Sequence, residues 1–85
     1  MLLSKKEFAK ASLNKRYKAI LDDGEYIGAR LKGAHRIHLF CYNGFFIEVW
    51  ILVSFDQLHW IEIQNNSSIV AEYTESVDLK KSLGL

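Results

Sequence analysis

The sequence predicts an α+β domain: an N-terminal helix packed on a four-stranded antiparallel meander sheet in order 1-2-3-4, followed by a short C-terminal helix. Three observations carry this reading. Between residues 5 and 21, Phe8, Leu13, Tyr17, Ile20 and Leu21 recur at three-to-five spacing, the apolar stripe of an amphipathic helix. From Glu25 onward the apolar period shortens to two, and it holds through four successive runs. The connections between those runs are short, which favours hairpins between sequence neighbours over crossovers.

Ser4 and Glu7 have the spacing of a capping box, so the first helix starts near Lys5, with Leu3 and Phe8 placed as a hydrophobic staple. Gly24 is its expected stop. Strand one begins at Glu25, with Ile27, Ala29 and Leu31 turned inward and Tyr26, Arg30 and Lys32 turned away. A turn around Lys32-Gly33-Ala34 leads to strand two over 35–42, a hairpin leads to strand three over 45–54, and a turn around Phe55-Asp56-Gln57 leads to strand four over 58–64. Asn65-Asn66-Ser67-Ser68 is a turn cluster that also supplies an N-cap for a helix over Ile69 to Tyr73. Residues 75–83 either extend that helix or form a separate turn along the sheet.

The central hairpin sets the pairing. Taken as a three-residue loop, Tyr42-Asn43-Gly44 with Gly44 left-handed in a bulge puts Ile37, Leu39, Ile47, Val49, Ile51, Ile61 and Ile63 on one aliphatic face for the N-terminal helix. The same register sets Arg36 opposite Trp50, His38 opposite Glu48 and Phe40 opposite Phe46. The second face is then aromatic. Its candidate interaction residues are Tyr26, Arg36, His38, Phe40, Phe46, Glu48, Trp50 and Trp60, a patch too large to stand bare on a monomer. The covers to expect are the C-terminal segment, with Ile69, Val70, Tyr73, Val77, Leu79 and Leu83, or a second copy of the chain.

Eighty-five residues, 49% hydrophobic and 25% charged, make one globular domain spanning 1–85. A single cysteine, Cys41, permits no internal disulfide and points to a reducing, cytoplasmic setting. Neither a signal peptide nor a membrane span is expected. The charge is uneven: residues 1–21 hold six cations against Glu7 alone, a net of +5, while the rest of the chain is acidic.

The chemistry legible in the residues is sparse. His38 and Glu48, as cross-strand neighbours, form the one acid-base pair with a geometric argument, and an ion pair is its plain reading. Arg36 over Trp50 reads as a cation-π contact. Cys41 behaves as a small buried hydrophobe. His35 and His38 fall on opposite faces of one strand and His59 on another strand, so no metal site follows and no cofactor is expected. Gly28 leaves a hole on the aromatic face that a neighbouring ring can fill.

The block Arg36-Ile-His-Leu-Phe, then Gly44-Phe-Phe-Ile-Glu-Val-Trp50, then Ile61-Glu-Ile resembles a pattern in short uncharacterised bacterial α+β proteins. That resemblance implies the fold and carries no activity or site residue. The expected function is a non-enzymatic protein-interaction module that uses the aromatic sheet face, pairing with its own copy or another protein. Nucleic-acid binding through the basic helix or the sheet aromatics is the alternative, and a minimal enzyme built on His38 and Glu48 a second one. No membrane partner is expected.

Overall fold

The computed structural model describes residues 2–73. The expected architecture is present: helices at the N-terminus, a four-stranded antiparallel sheet in order β1-β2-β3-β4, and a helical turn over 67–73, here called α3. The strands are β1 (Glu25–Lys32), β2 (His35–Tyr42), β3 (Phe45–Leu52) and β4 (Gln57–Ile63). Val77, Leu79, Leu83 and the proposed extension over 75–83 lie outside the described residues.

The N-terminal helical stretch is two helices, α1 (Lys5–Lys10) and α2 (Leu13–Asp23). The capping box opens α1, with Ser4 N–H donating to Glu7 Oε1 at 2.8 Å and Glu7 N–H to Ser4 Oγ at 3.1 Å. Ala11 turns extended and Ser12 opens α2 as a second cap, its hydroxyl accepting the Lys15 N–H. The five-residue step from Phe8 to Leu13 marks the break, because one straight helix cannot keep both on the same face. Arg16 braces the joint. Its guanidinium donates to the carbonyls of Phe8 and Ala9 at the end of α1, where helical carbonyls lack intrahelical partners or have only the cap, and to that of Ile61 in β4.

The central hairpin overturns the expected register. Asn43 has φ +48° and Gly44 φ +83°, so both centre a two-residue loop of the type I′ kind, whose twist matches that of the strands. Tyr42 therefore pairs with Phe45 and belongs to β2, not to the loop. Every partner moves by one residue: Arg36 faces Ile51, His38 faces Val49, Phe40 faces Ile47, and Glu48 faces Leu39. The pairs Arg36/Trp50, His38/Glu48 and Phe40/Phe46 do not form.

This register divides the sheet differently. The front face carries Tyr42, Phe45, Ile47, Val49 and Ile61, which close a core with Phe8 of α1 and Ile20 of α2. Leu3 packs on the same core, as the staple requires, and is tied down by its N–H to Tyr42 Oη at 2.7 Å. The back face carries Ile37 and Leu39, also fully buried, and lies under Tyr73 of α3. In β1 a bulge at Ile27 reverses the later residues: Tyr26, Ala29 and Leu31 share the front face, while Gly28, Arg30 and Lys32 share the back. Gly28 sits under the Tyr73 ring, whose Cδ2 is 3.9 Å from where a β-carbon would stand, so a ring does fill that hole.

Candidate functional site

Three groupings on this frame have functional interest. On the front face the helices leave part of the sheet open. There a cleft of about 390 Å³ has a floor of His38, Phe40, Val49 and Ile51 and a wall of Tyr17, Ile20 and Leu21 from α2. Tyr26 closes one end, and Arg36 with Asp56 the other. The Tyr26 hydroxyl and His38 Nδ1 are 3.1 Å apart and hydrogen-bonded. Burial first, then the Arg36 charge, holds the His38 pKa below its usual 6.5, so the ring is neutral at pH 7.

The second grouping is the β1 edge. Tyr26 (54% exposed) and Leu31 (75%) project from the front of this strand, with Ala29 exposed between them. The opposite edge is different, because the Ile61 carbonyl of β4 is already taken by Arg16. An outermost strand with exposed apolar side chains is a template for another strand.

The third lies on the back face. Glu48 is fully buried and its carboxylate accepts hydrogen bonds from three neighbours: Tyr73 Oη–H donates to Oε2 at 2.5 Å, Arg30 Nη2 to Oε2 at 3.1 Å, and Gln64 Nε2 to Oε1 at 2.7 Å. Arg30 Nε also donates to Tyr73 Oη, and Gln64 Oε1 accepts the Asn66 N–H, just where Asn66 caps α3 through the Ser68 N–H. The carboxylate thus docks α3 on the sheet. Its chemistry is structural, since all its partners are internal.

Burial, and next the hydrogen bond to Glu48, hold the Tyr73 pKa above its ordinary 10.0. The unfolded chain loses this proton first, so the contribution of Tyr73 to stability is complete below pH 10 and falls as pH rises further, by about 1.4 kcal/mol per pH unit. Urea midpoints measured across this alkaline range should drop more steeply for the wild type than for Tyr73→Phe. Equal slopes would show that Tyr73 ionises normally in the fold.

The eight residues expected on one aromatic face are split between two. Tyr26, Arg36, His38 and Phe40 line the front cleft, whereas Phe46, Glu48, Trp50 and Trp60 are on the back face. Trp50 is approached by Lys32, with Nζ 6.0 Å from the ring centroid, in place of Arg36, and Trp60 lies under the Arg16 guanidinium at 5.0 Å. His35 and His59 stack at 4.9 Å with a 2.7 Å hydrogen bond between Nε2 and Nδ1. The strand spacing of the two histidines gave no sign of this. It arises because His59 is the extra residue of a bulge between Leu58 and Trp60, which turns it to the back face. Among the described residues no three His, Cys, Asp or Glu side chains are placed to hold a metal ion. Of the six N-terminal cations, Arg16 is used internally and the five lysines are exposed.

No helix among the described residues is long and apolar enough to cross a membrane. Compared with family models, curated proteins and solved structures, the chain matches none. Fold and site together define a small α+β domain with a helix docked over 67–73 and, among the described residues, an open front cleft and an unpaired sheet edge.

Proposed function

We propose that the protein is a non-enzymatic interaction module that pairs with a second copy of itself along β1. The observation that carries this is the self-complementarity of that strand. Antiparallel pairing about a two-fold axis through Ala29 sets Tyr26 opposite Leu31 on the front face and Glu25 opposite Lys32 on the back. Both exposed apolar side chains then meet each other, and both charge pairs are of opposite sign. The bulge at Ile27 is what makes the match, because without it Tyr26 and Leu31 would point to different faces. A catalytic reading loses its basis, since His38 and Glu48 stand on opposite faces of the sheet.

Sedimentation equilibrium tests the proposal. The wild type, 9.8 kDa as a monomer, should show the mass of a dimer at high micromolar concentration. Leu31→Glu, which puts a carboxylate against Tyr26, should be monomeric. Glu25→Lys should weaken the dimer, and Glu25→Lys combined with Lys32→Glu should restore it. A wild type that remains monomeric at about 1 mM, where even a weak pair of roughly 4 kcal/mol would be half formed, overturns the reading.

A further inference from the structure

Arg36, at one end of the front cleft, carries a donor that is unsatisfied among the described residues. Arg36 Nε is buried and has no hydrogen-bond partner among the described residues. The nearest acid, Asp56, stands 3.6 Å from Nη2, beyond hydrogen-bonding range, and its own side chain is 85% exposed. Nε and Nη2 share the edge of the guanidinium that grips a carboxylate with two parallel bonds, and here that edge holds no hydrogen bond. A buried donor left in this condition is a cost to the fold, and a small turn of the guanidinium that brings its Nε–H to the cleft would let a ligand oxygen remove it.

The rest of the cleft states what should be attached to that oxygen. Beyond Arg36 the lining is Ile51, Val49, Phe40, Ile20 and Leu21, an apolar trough, and its volume of about 390 Å³ is within the range of small-molecule sites. His38 adds no competing negative charge, and its Nδ1 is already occupied by Tyr26. We infer that this cleft binds a small amphipathic carboxylic acid, its carboxylate on the Arg36 edge and its hydrocarbon part along Phe40, Val49 and Ile20. Asp56 is the internal acid that the ligand displaces from the neighbourhood of Arg36.

Titration with octanoate, with octanamide as the uncharged control of equal length, tests this by NMR on the Tyr26 and His38 side chains and the Phe40 amide. Octanoate should shift these signals saturably and bind about tenfold more tightly than octanamide. Arg36→Gln, a half-exposed position whose replacement spares the fold, should bind acid and amide alike. Asp56→Asn, which removes the competing acid, should tighten octanoate severalfold and leave octanamide unchanged. Equal binding of acid and amide by the wild type, or shifts that fall outside the cleft, would overturn the inference. It does not rest on dimerisation: the same titration on Glu25→Lys, a back-face change that weakens the dimer without placing a charge beside Arg36, reads the cleft in the monomer, so the failure of either proposal is visible without the other.

Discussion

Replacing Glu48 by alanine should destabilise the protein by about 3–5 kcal/mol, the cost of removing one partner from a buried ionic network. The carboxylate is fully buried and receives hydrogen bonds from Tyr73, Arg30 and Gln64. Alanine would leave the Tyr73 hydroxyl and the Gln64 amide facing each other across a void, and an arginine whose side chain is only 17% exposed without its main counter-charge. For a chain of this length, total stability is of the order of 4–12 kcal/mol, so the variant should be marginal. Urea unfolding measures the loss, and hydrogen exchange should locate it: amides over 67–73 should lose protection before those of β2 and β3. The mechanism has a further check. Glu48→Leu combined with Arg30→Met and Tyr73→Phe removes the ion pair and the hydroxyl bonded to it, leaving of the network only the partly exposed Gln64, and it should recover most of the loss, because apolar groups of similar volume replace a paired ion at little net cost. A loss below about 1 kcal/mol for Glu48→Ala would mean that the network does not hold α3 to the sheet.

Phe8→Ala should cost a comparable amount, about 3–5 kcal/mol, for a different reason. Phe8 is the one buried residue of α1, and its ring lies 5.7 Å from that of Tyr42 and 5.8 Å from that of Phe45. A six-residue helix is far below the length that is stable by itself in water, so α1 exists because this ring is inserted in the core. Truncation leaves a ring-sized cavity and removes the anchor. The expected result is a lowered urea midpoint together with rapid exchange of the Leu3 amide, which is otherwise held by Tyr42 Oη. Lys10→Ala, on the exposed side of the same helix, should change neither. If Phe8→Ala costs no more than Lys10→Ala, α1 is not part of the cooperative core.

Most of the architecture was legible in the residues. Helix, four strands, strand order and C-terminal turn follow from the change of apolar period at Glu25 and from turn residues at Gly33, Asn43-Gly44 and Asn66. The capping box and staple at Leu3-Ser4-Glu7-Phe8 form as their spacing requires. The candidate face was not legible, and the cause is one residue of register. Alternation identifies the inner face of a strand only when the other face is wet. Here α1 and α2 cover the front and α3 the back, so both sets of residues in β2 are partly apolar: Ile37 and Leu39 on one side, Phe40 and Tyr42 on the other. With two covered faces the pattern fits either register. The Asn-Gly turn, through its two left-handed residues, decided between them.

What the sequence determined by itself is therefore local: where helices start, where turns fall, which runs extend, and that neighbouring runs pair. These depend on interactions within a few residues, such as a serine on the amide three positions ahead or a glycine free to take a positive φ. Tertiary structure decided what faces what. Glu48 belongs with Arg30, Gln64 and Tyr73, and Arg16 with Ile61, because burial makes an unpaired charge or carbonyl costly and the fold brings partners from 16 or more positions away. Two bulges, at Ile27 and His59, then place Tyr26 with Leu31 and His59 with His35. A bulge reverses which face each later residue takes, and only pairing with the neighbouring strand shows where it occurs.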